Sequence, residues 1–328
     1  MLSPSSSSSF GELLKRINPF GIAVLGGIIS ASFSSIPPSF LFFAILFNYF
    51  SALPLYFVAF GWGWKHCFTA CITAFLCFVF LSTEKVILVQ LISIYIPALI
   101  VSASVLHRTK VADRSDSQLV NSTTYQWYPA GYSISWVSLY GIFLVAILTF
   151  FVLPDSASPE QILKEWLGKF IDLSTIKDVS PLFFRVIPSI SIISTIFTSL
   201  VNAVVTQRLL ASLRLNRRPY PTPNDFLIHT HWDIVFALGL ILQLTDHRLF
   251  AFMGSNIILI SCVPLFLLGL TVAKAWLSQF EETQIWLYLL VVLCFLLVWP
   301  GLFVVGLGIL EPLLNLRQRF LTHDKVEK

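Results

Sequence analysis

The sequence predicts an all-α polytopic integral membrane protein, with about eight (eight or nine) transmembrane helices and one interfacial amphipathic helix. Three observations predict it. Hydrophobic residues make up 56% of the 328-residue chain and charged residues only 12%, with a mean hydropathy of +0.81; soluble domains carry about twice that charge fraction. The apolar residues fall into runs close to the ~20 residues that cross a ~30 Å hydrocarbon layer. Lysine and arginine gather in alternate breaks between the runs, as the positive-inside rule requires.

Residues 1–18 read as a cytoplasmic tail: a serine run over 1–10, expected to be disordered, then Lys15 and Arg16. The first apolar run enters the second directly through Pro37-Pro38, so an uncleaved span is expected there and not a signal peptide. The expected spans are 19–36, 39–60, 63–83, 86–106, 131–153, 182–206, 231–245, 250–273 and 285–310. Pro54 predicts a break in the second, and Trp299-Pro300-Gly301 interrupts the last. No polar stretch is long enough to bury a core of its own. Residues 19–311 therefore read as one membrane domain, followed by a cytoplasmic tail over 312–328.

With a cytoplasmic N-terminus, the cytoplasmic breaks hold Lys65, then Arg108, Lys110 and Arg114, then Arg208, Arg214, Arg217 and Arg218, then Lys274. Nine crossings would leave Arg317 and Arg319 outside, against the rule. Eight crossings with both ends cytoplasmic are expected, the parity being restored by a segment that does not cross or by a hairpin at Pro300-Gly301. Outside, 158–173 reads as a helix on its own merits. Ser158 caps it, Pro159 occupies its first position, and Ile162, Leu163, Trp166, Leu167, Phe170 and Ile171 make one apolar stripe. Such a helix lies in the membrane interface, as a connector or as a lid.

Function is less legible. In the first span Ala23, Gly27 and Ala31 repeat every four residues, beside Gly26 and Ser30. Such stripes let two backbones approach closely, within one chain or on a separate subunit, so this is the candidate subunit-docking face. Asn48, Asn202, Gln243 and Asn256 are amides at membrane depth, the candidate lining of a cavity for a neutral or weakly polar molecule. The loop at 207–230 is the candidate cytoplasmic contact, with Arg208, Arg214, Arg217 and Arg218 ahead of three prolines; topology and anionic lipid alone also account for it. Gly61-Trp62-Gly63-Trp64 and Trp127-Tyr128 read as interfacial belts.

No catalytic motif is present, so no enzyme and no cofactor are expected. His229, His231 and Asp233 underspecify a metal site, and the five cysteines sit in apolar runs as small hydrophobes. No basic block of the kind that binds nucleic acid occurs.

The order of Gly61-Trp62-Gly63-Trp64, Trp127-Tyr128-Pro129-Ala130-Gly131, Gln207-Arg208-Leu209-Leu210, Arg217-Arg218-Pro219, Trp299-Pro300 and the tail Gly308 to Arg319 resembles the YybS-like family of predicted bacterial membrane proteins, alphaproteobacterial branch, over roughly residues 19–320. That family is distantly similar to the substrate-binding subunits of energy-coupling-factor vitamin transporters, which have roughly six spans. The resemblance implies a bacterial inner (plasma) membrane protein. It also implies a small-molecule transporter or substrate-binding subunit, with a coupling membrane subunit and an ATPase as partners, docked through the Ala23, Gly27 and Ala31 stripe. A non-catalytic scaffold in envelope assembly or cell division is the alternative.

Overall fold

Backbone surrounded by lipid must satisfy its own hydrogen bonds, so the apolar runs become helices. The computed structural model describes residues 17–81, 84–111, 124–129, 131–153, 158–168, 180–219, 228–229, 231–279 and 282–323. The tail over 1–16, Arg114 and residues 169–173 of the expected amphipathic helix lie outside them. The elements are α1 (Pro19–Ser34), α2 (Leu41–Phe50), α3 (Leu53–Trp62), α4 (Trp64–Leu81), α5 (Glu84–Gln90), which runs through a π turn into α6 (Ile96–Val105), and a hairpin of β1 (Arg108–Val111) and β2 (Thr124–Trp127). There follow α7 (Gly131–Ile147), α8 (Pro159–Gly168), α9 (Pro181–Ser212), α10 (Trp232–Gln243), α11 (Arg248–Leu277), α12 (Thr283–Leu296), α13 (Val298–Leu314) and α14 (Leu316–His323).

Among the described residues, five helical stretches are long and apolar enough to cross a membrane: Leu41–Trp62, Ile87–Val105, Gly131–Val152, Pro181–Ser212 and Arg248–Leu277. This is the build of a membrane protein. The expected eight is a finer count than these lengths support. The runs at 19–36, 63–83 and 231–245 give only the shorter apolar helices Pro19–Ser34, Trp64–Phe80 and Trp232–Gln243. At 1.5 Å per residue, the 12 residues of α10 span only about 18 Å. The last run is a pair of helices bent by 114°. Its break falls at Leu297, where the backbone is extended, and Pro300 lies within the first turn of α13, where a missing N–H costs nothing.

Where the sequence reads as one domain, the helices group into two compact units: unit 1 is 1–137 with 194–227, and unit 2 is 138–193 with 228–328. In unit 1, α1 packs along α4. A methyl on Gly27 would lie 2.5 Å from the Ala70 carbonyl oxygen and 2.7 Å from Thr73 Cβ, so the small residue sets the helix separation. In unit 2, α11 packs between α10 and α13. Close approach recurs there: a methyl on Gly254 would lie 2.6 Å from the Gly239 carbonyl oxygen.

The hairpin was not foreseen. Its register pairs Arg108 with Trp127 and Val111 with Thr124. Four-residue strands carry too little alternation to stand out in the sequence of this cytoplasmic break.

Candidate functional site

Among the described residues, an asparagine from a neighbouring helix meets the backbone at two proline-disturbed places, the α2–α3 junction and Pro188 inside α9. In unit 1 the break lies between α2 and α3, where Pro54 removes a donor. Backbone carbonyls around this junction are met from two sides. Asn202 Nδ2 donates to the Tyr49 oxygen at 2.7 Å, and also to Thr198 of its own helix at 2.8 Å. Ser30 Oγ donates to the Ser51 oxygen at 2.7 Å, and Thr206 Oγ1 to that of Leu53 at 3.5 Å. A side-chain pair, Gln90 Nε2 to Asn48 Oδ1 at 2.8 Å, ties α2 to α5.

In unit 2 the break is the interior Pro188 of α9. The rung from the Ser189 N–H to the Arg185 carbonyl is opened, and Asn256 fills it. Its Oδ1 accepts from the Ser189 N–H at 2.9 Å, while its Nδ2 donates to the Arg185 oxygen at 3.1 Å and to Phe252 at 2.9 Å. Gln243 accepts from Arg185 Nη2 at 3.4 Å and from the Ser255 hydroxyl. The four predicted amides are thus divided two and two: Asn48 and Asn202 in unit 1, Gln243 and Asn256 in unit 2. Asn202 and Asn256 hold backbone.

Unit 1 also carries polar capacity that its own atoms do not meet. Among the described residues of unit 1, Tyr56 Oη, Tyr95 Oη and Asn202 Oδ1 are buried with no hydrogen-bond partner, as are Ser138 Oγ, Arg185 Nε and Asp233 Oδ1 in unit 2. These groups lie along one neighbourhood. The Tyr56 hydroxyl faces that of Ser199 without reaching hydrogen-bond geometry and lies near Cys67 and Cys71, and Tyr95 lies near Cys71. Ser199 is three residues from Asn202 on the same helix face. Cys67 Sγ is 3.5 Å from Ser102 Oγ, and Cys71 Sγ donates to the Tyr95 carbonyl at 3.9 Å. A buried polar group without a partner costs about 1–3 kcal/mol, so two tyrosine hydroxyls near Cys71 and an amide oxygen one turn from Ser199 need a reason. An acceptor carbonyl and two hydroxyls suit a neutral ligand that donates hydrogen bonds. Sequence reasoning found Asn202 and missed Tyr56, Tyr95 and Ser199. A tyrosine in an apolar run reads as a belt residue, and nothing local marks it as buried.

The arginine loop gathers several motifs at one end of unit 1. Arg218 is only 4% exposed. Its Nη1 donates to the Val105 oxygen at 2.8 Å, and its guanidinium lies 5.9 Å from the centre of the Trp127 ring. Its carbonyl accepts from Gln207 Nε2 at 2.8 Å and Asn216 Nδ2 at 3.0 Å. The Arg217 N–H donates to the Phe60 oxygen at 3.2 Å. Gly63 turns with φ at 108°, and a methyl there would lie 2.7 Å from Arg217 Nη1. Arg218 is therefore a structural clamp and not a contact residue, whereas Arg208, Arg214 and Arg217 are exposed. Trp62 is likewise buried instead of lying in a belt.

The Ala23, Gly27 and Ala31 face is buried against α4 of the same chain. The apolar stripe of α8 also packs on protein: Ile162, Leu163, Trp166 and Leu167 lie against Leu153, Phe184, Leu249 and Phe252. Among the described residues no group of three His, Cys, Asp or Glu side chains could hold a metal ion, so His229, His231 and Asp233 are not assembled into one. Burial and the neighbouring His231 push the His229 imidazole below its ordinary range. Comparison with protein-family models, with characterised proteins and with solved structures gives no match.

Proposed function

We propose that the protein is a multi-pass bacterial inner-membrane protein that binds a small neutral molecule in unit 1, as a transporter or as a substrate-binding membrane subunit. The observation that carries this reading is the set of unsatisfied, buried polar atoms Tyr56 Oη, Tyr95 Oη and Asn202 Oδ1 beside a broken helix. Interrupted helices at membrane depth are where transporters hold substrates, and polar groups kept in lipid at a cost are functional by default. The resemblance to the YybS-like family, and through it to energy-coupling-factor subunits, points the same way. We read no catalysis, no cofactor and no nucleic-acid partner into it. The five long helices and three shorter ones make eight crossings if the bent pair enters and returns on one side. Both termini are then cytoplasmic.

A coupling membrane subunit and an ATPase are the partners this reading requires. Because α4 fills the small-residue face of α1, such a partner would dock on another surface, with exposed Arg208, Arg214 and Arg217 as the cytoplasmic candidates. The test is thermal stabilisation of the protein in lipid nanodiscs by a panel of neutral, hydrogen-bond-donating metabolites, run beside Tyr56→Phe. Stabilisation of the wild type that Tyr56→Phe abolishes is expected. No response to the whole panel, with no coupling subunit or ATPase co-purifying, would overturn it.

One observation favours the scaffold reading. Asn202 and Asn256 bond to backbone, as structural amides do. A scaffold in envelope assembly or division predicts septal localisation and altered cell shape on deletion, with uptake unaffected.

A further inference from the structure

We propose that Arg185, Gln243 and Ser255 of unit 2 form a binding site for a small oxyanion, a carboxylate or a phosphate group, which Glu160 of α8 occupies from within the chain. The site shares no residue with the neutral-ligand reading of unit 1 and does not depend on it.

Arg185 is four residues into α9, on a helix apolar enough to span the membrane. A guanidinium offers five N–H donors in a planar fork that fits a carboxylate or phosphate edge. Here it is poorly used. Nη2 reaches Gln243 Oε1 at a long 3.4 Å. Nε is buried and without a hydrogen bond, its nearest acidic oxygen being Glu160 Oε1 at 4.0 Å. A cation kept at this depth normally has a well-formed partner; this one has an ion pair at the limit of contact.

The surroundings are built. Gly239 and Gly254 bring α10 and α11 together, so that a methyl on Gly254 would overlap the Gln243 backbone. That approach places Gln243 against the Ser255 hydroxyl and steers its oxygen towards Arg185. Asn256 fixes the backbone of Arg185 itself. The arginine is thereby aimed by three neighbours, and none of them neutralises it.

The carboxylate that does face it belongs to a separable element. α8 is a ten-residue helix held on unit 2 by Leu163 and the partly buried Ile162, Trp166 and Leu167. Its Glu160 side chain is about a quarter exposed, as is that of Arg185. A ligand oxyanion approaching from the α8 side meets the same donors as Glu160, and can satisfy Nε and Nη2 together in the bidentate geometry that the 4.0 Å pair does not achieve. Glu160 is then an internal competitor. The oxyanion has two possible sources, a soluble anion or a lipid headgroup at the level of α8.

The test uses the full chain in phosphatidylcholine nanodiscs, titrated with acetate and with inorganic phosphate at constant ionic strength, and in matched discs containing phosphatidylglycerol. Saturable thermal stabilisation of the wild type is expected, and Glu160→Gln should bind the same anion about threefold to fivefold tighter, the scale of removing one partly exposed ion-pair partner. Arg185→Gln should abolish the response. Stabilisation by acetate or phosphate identifies a soluble anion, and stabilisation only by phosphatidylglycerol identifies a headgroup. If Arg185→Gln does not fold, Glu160→Gln, at a partly exposed position, decides alone. Binding that is absent from both wild type and Glu160→Gln in every arm, or that weakens in Glu160→Gln, overturns the proposal.

Discussion

The helix break of unit 1 and the helix break of unit 2 are repaired by the same side chain with different results. At Pro188, Asn256 uses both ends of its carboxamide: it accepts from one freed backbone group, donates to the other, and is 0% exposed. At the α2–α3 break, Asn202 donates to the Tyr49 carbonyl, but its own oxygen is left without a partner, as are the hydroxyls of Tyr56 and Tyr95. A fully satisfied amide completes a kinked helix and explains itself. A half-satisfied one, among other unsatisfied groups, keeps hydrogen-bonding capacity available in a place where it is costly to keep. The difference separates a structural splice from a candidate site.

The largest effect expected from this comparison is Asn256→Leu. Two backbone groups lose their partner at membrane depth, for a cost of about 3 kcal/mol, read as a lowered unfolding midpoint in nanodiscs. Arg218→Ala comes next, at about 2 kcal/mol, through loss of a buried hydrogen bond and of the stack on Trp127. Arg214→Ala, at an exposed position, should stay within about 0.5 kcal/mol. That pair tests whether satisfied polar groups in unit 1 matter as much as those in unit 2. Asn202→Leu should cost only about 1 kcal/mol: it loses the bond to Tyr49 but also removes a buried oxygen that had no partner. A loss as large as that of Asn256→Leu would erase the comparison. Tyr56→Phe is expected to cost nothing or to stabilise slightly, because it deletes a hydroxyl that faces Ser199 without forming a hydrogen bond of good geometry.

Much of the architecture was legible because lipid imposes simple rules. Run length, Pro54 and the Trp299-Pro300-Gly301 interruption each left a mark in the sequence, and the structure breaks or bends its helices at or beside them. Whether a short run crosses was not legible, since 12 to 18 residues of helix fit either a crossing or a core element. The division into two units was also hidden, because α7 and α9 each contribute to both and only the boundary at 227–228 falls in a polar loop. At the candidate sites, residue type pointed to the right amides and could not say what they face. Asn202 and Asn256 look alike in sequence; only the backbone groups beside Pro54 and Pro188 that they meet, and what lies opposite them, distinguish their roles. Arg218 could not be told from Arg217 before the loop folded back on Trp127.

The most direct measurement is the unfolding midpoint of Tyr56→Phe, without ligand, in the same nanodiscs as the wild type and Asn256→Leu. An unchanged or raised midpoint, beside a clear fall for Asn256→Leu, is predicted if unit 1 holds polar groups that the fold itself does not use. A fall for Tyr56→Phe equivalent to more than about 1 kcal/mol would mean that the hydroxyl is a structural hydrogen-bonding group, and it would contradict the assignment of a ligand site to unit 1.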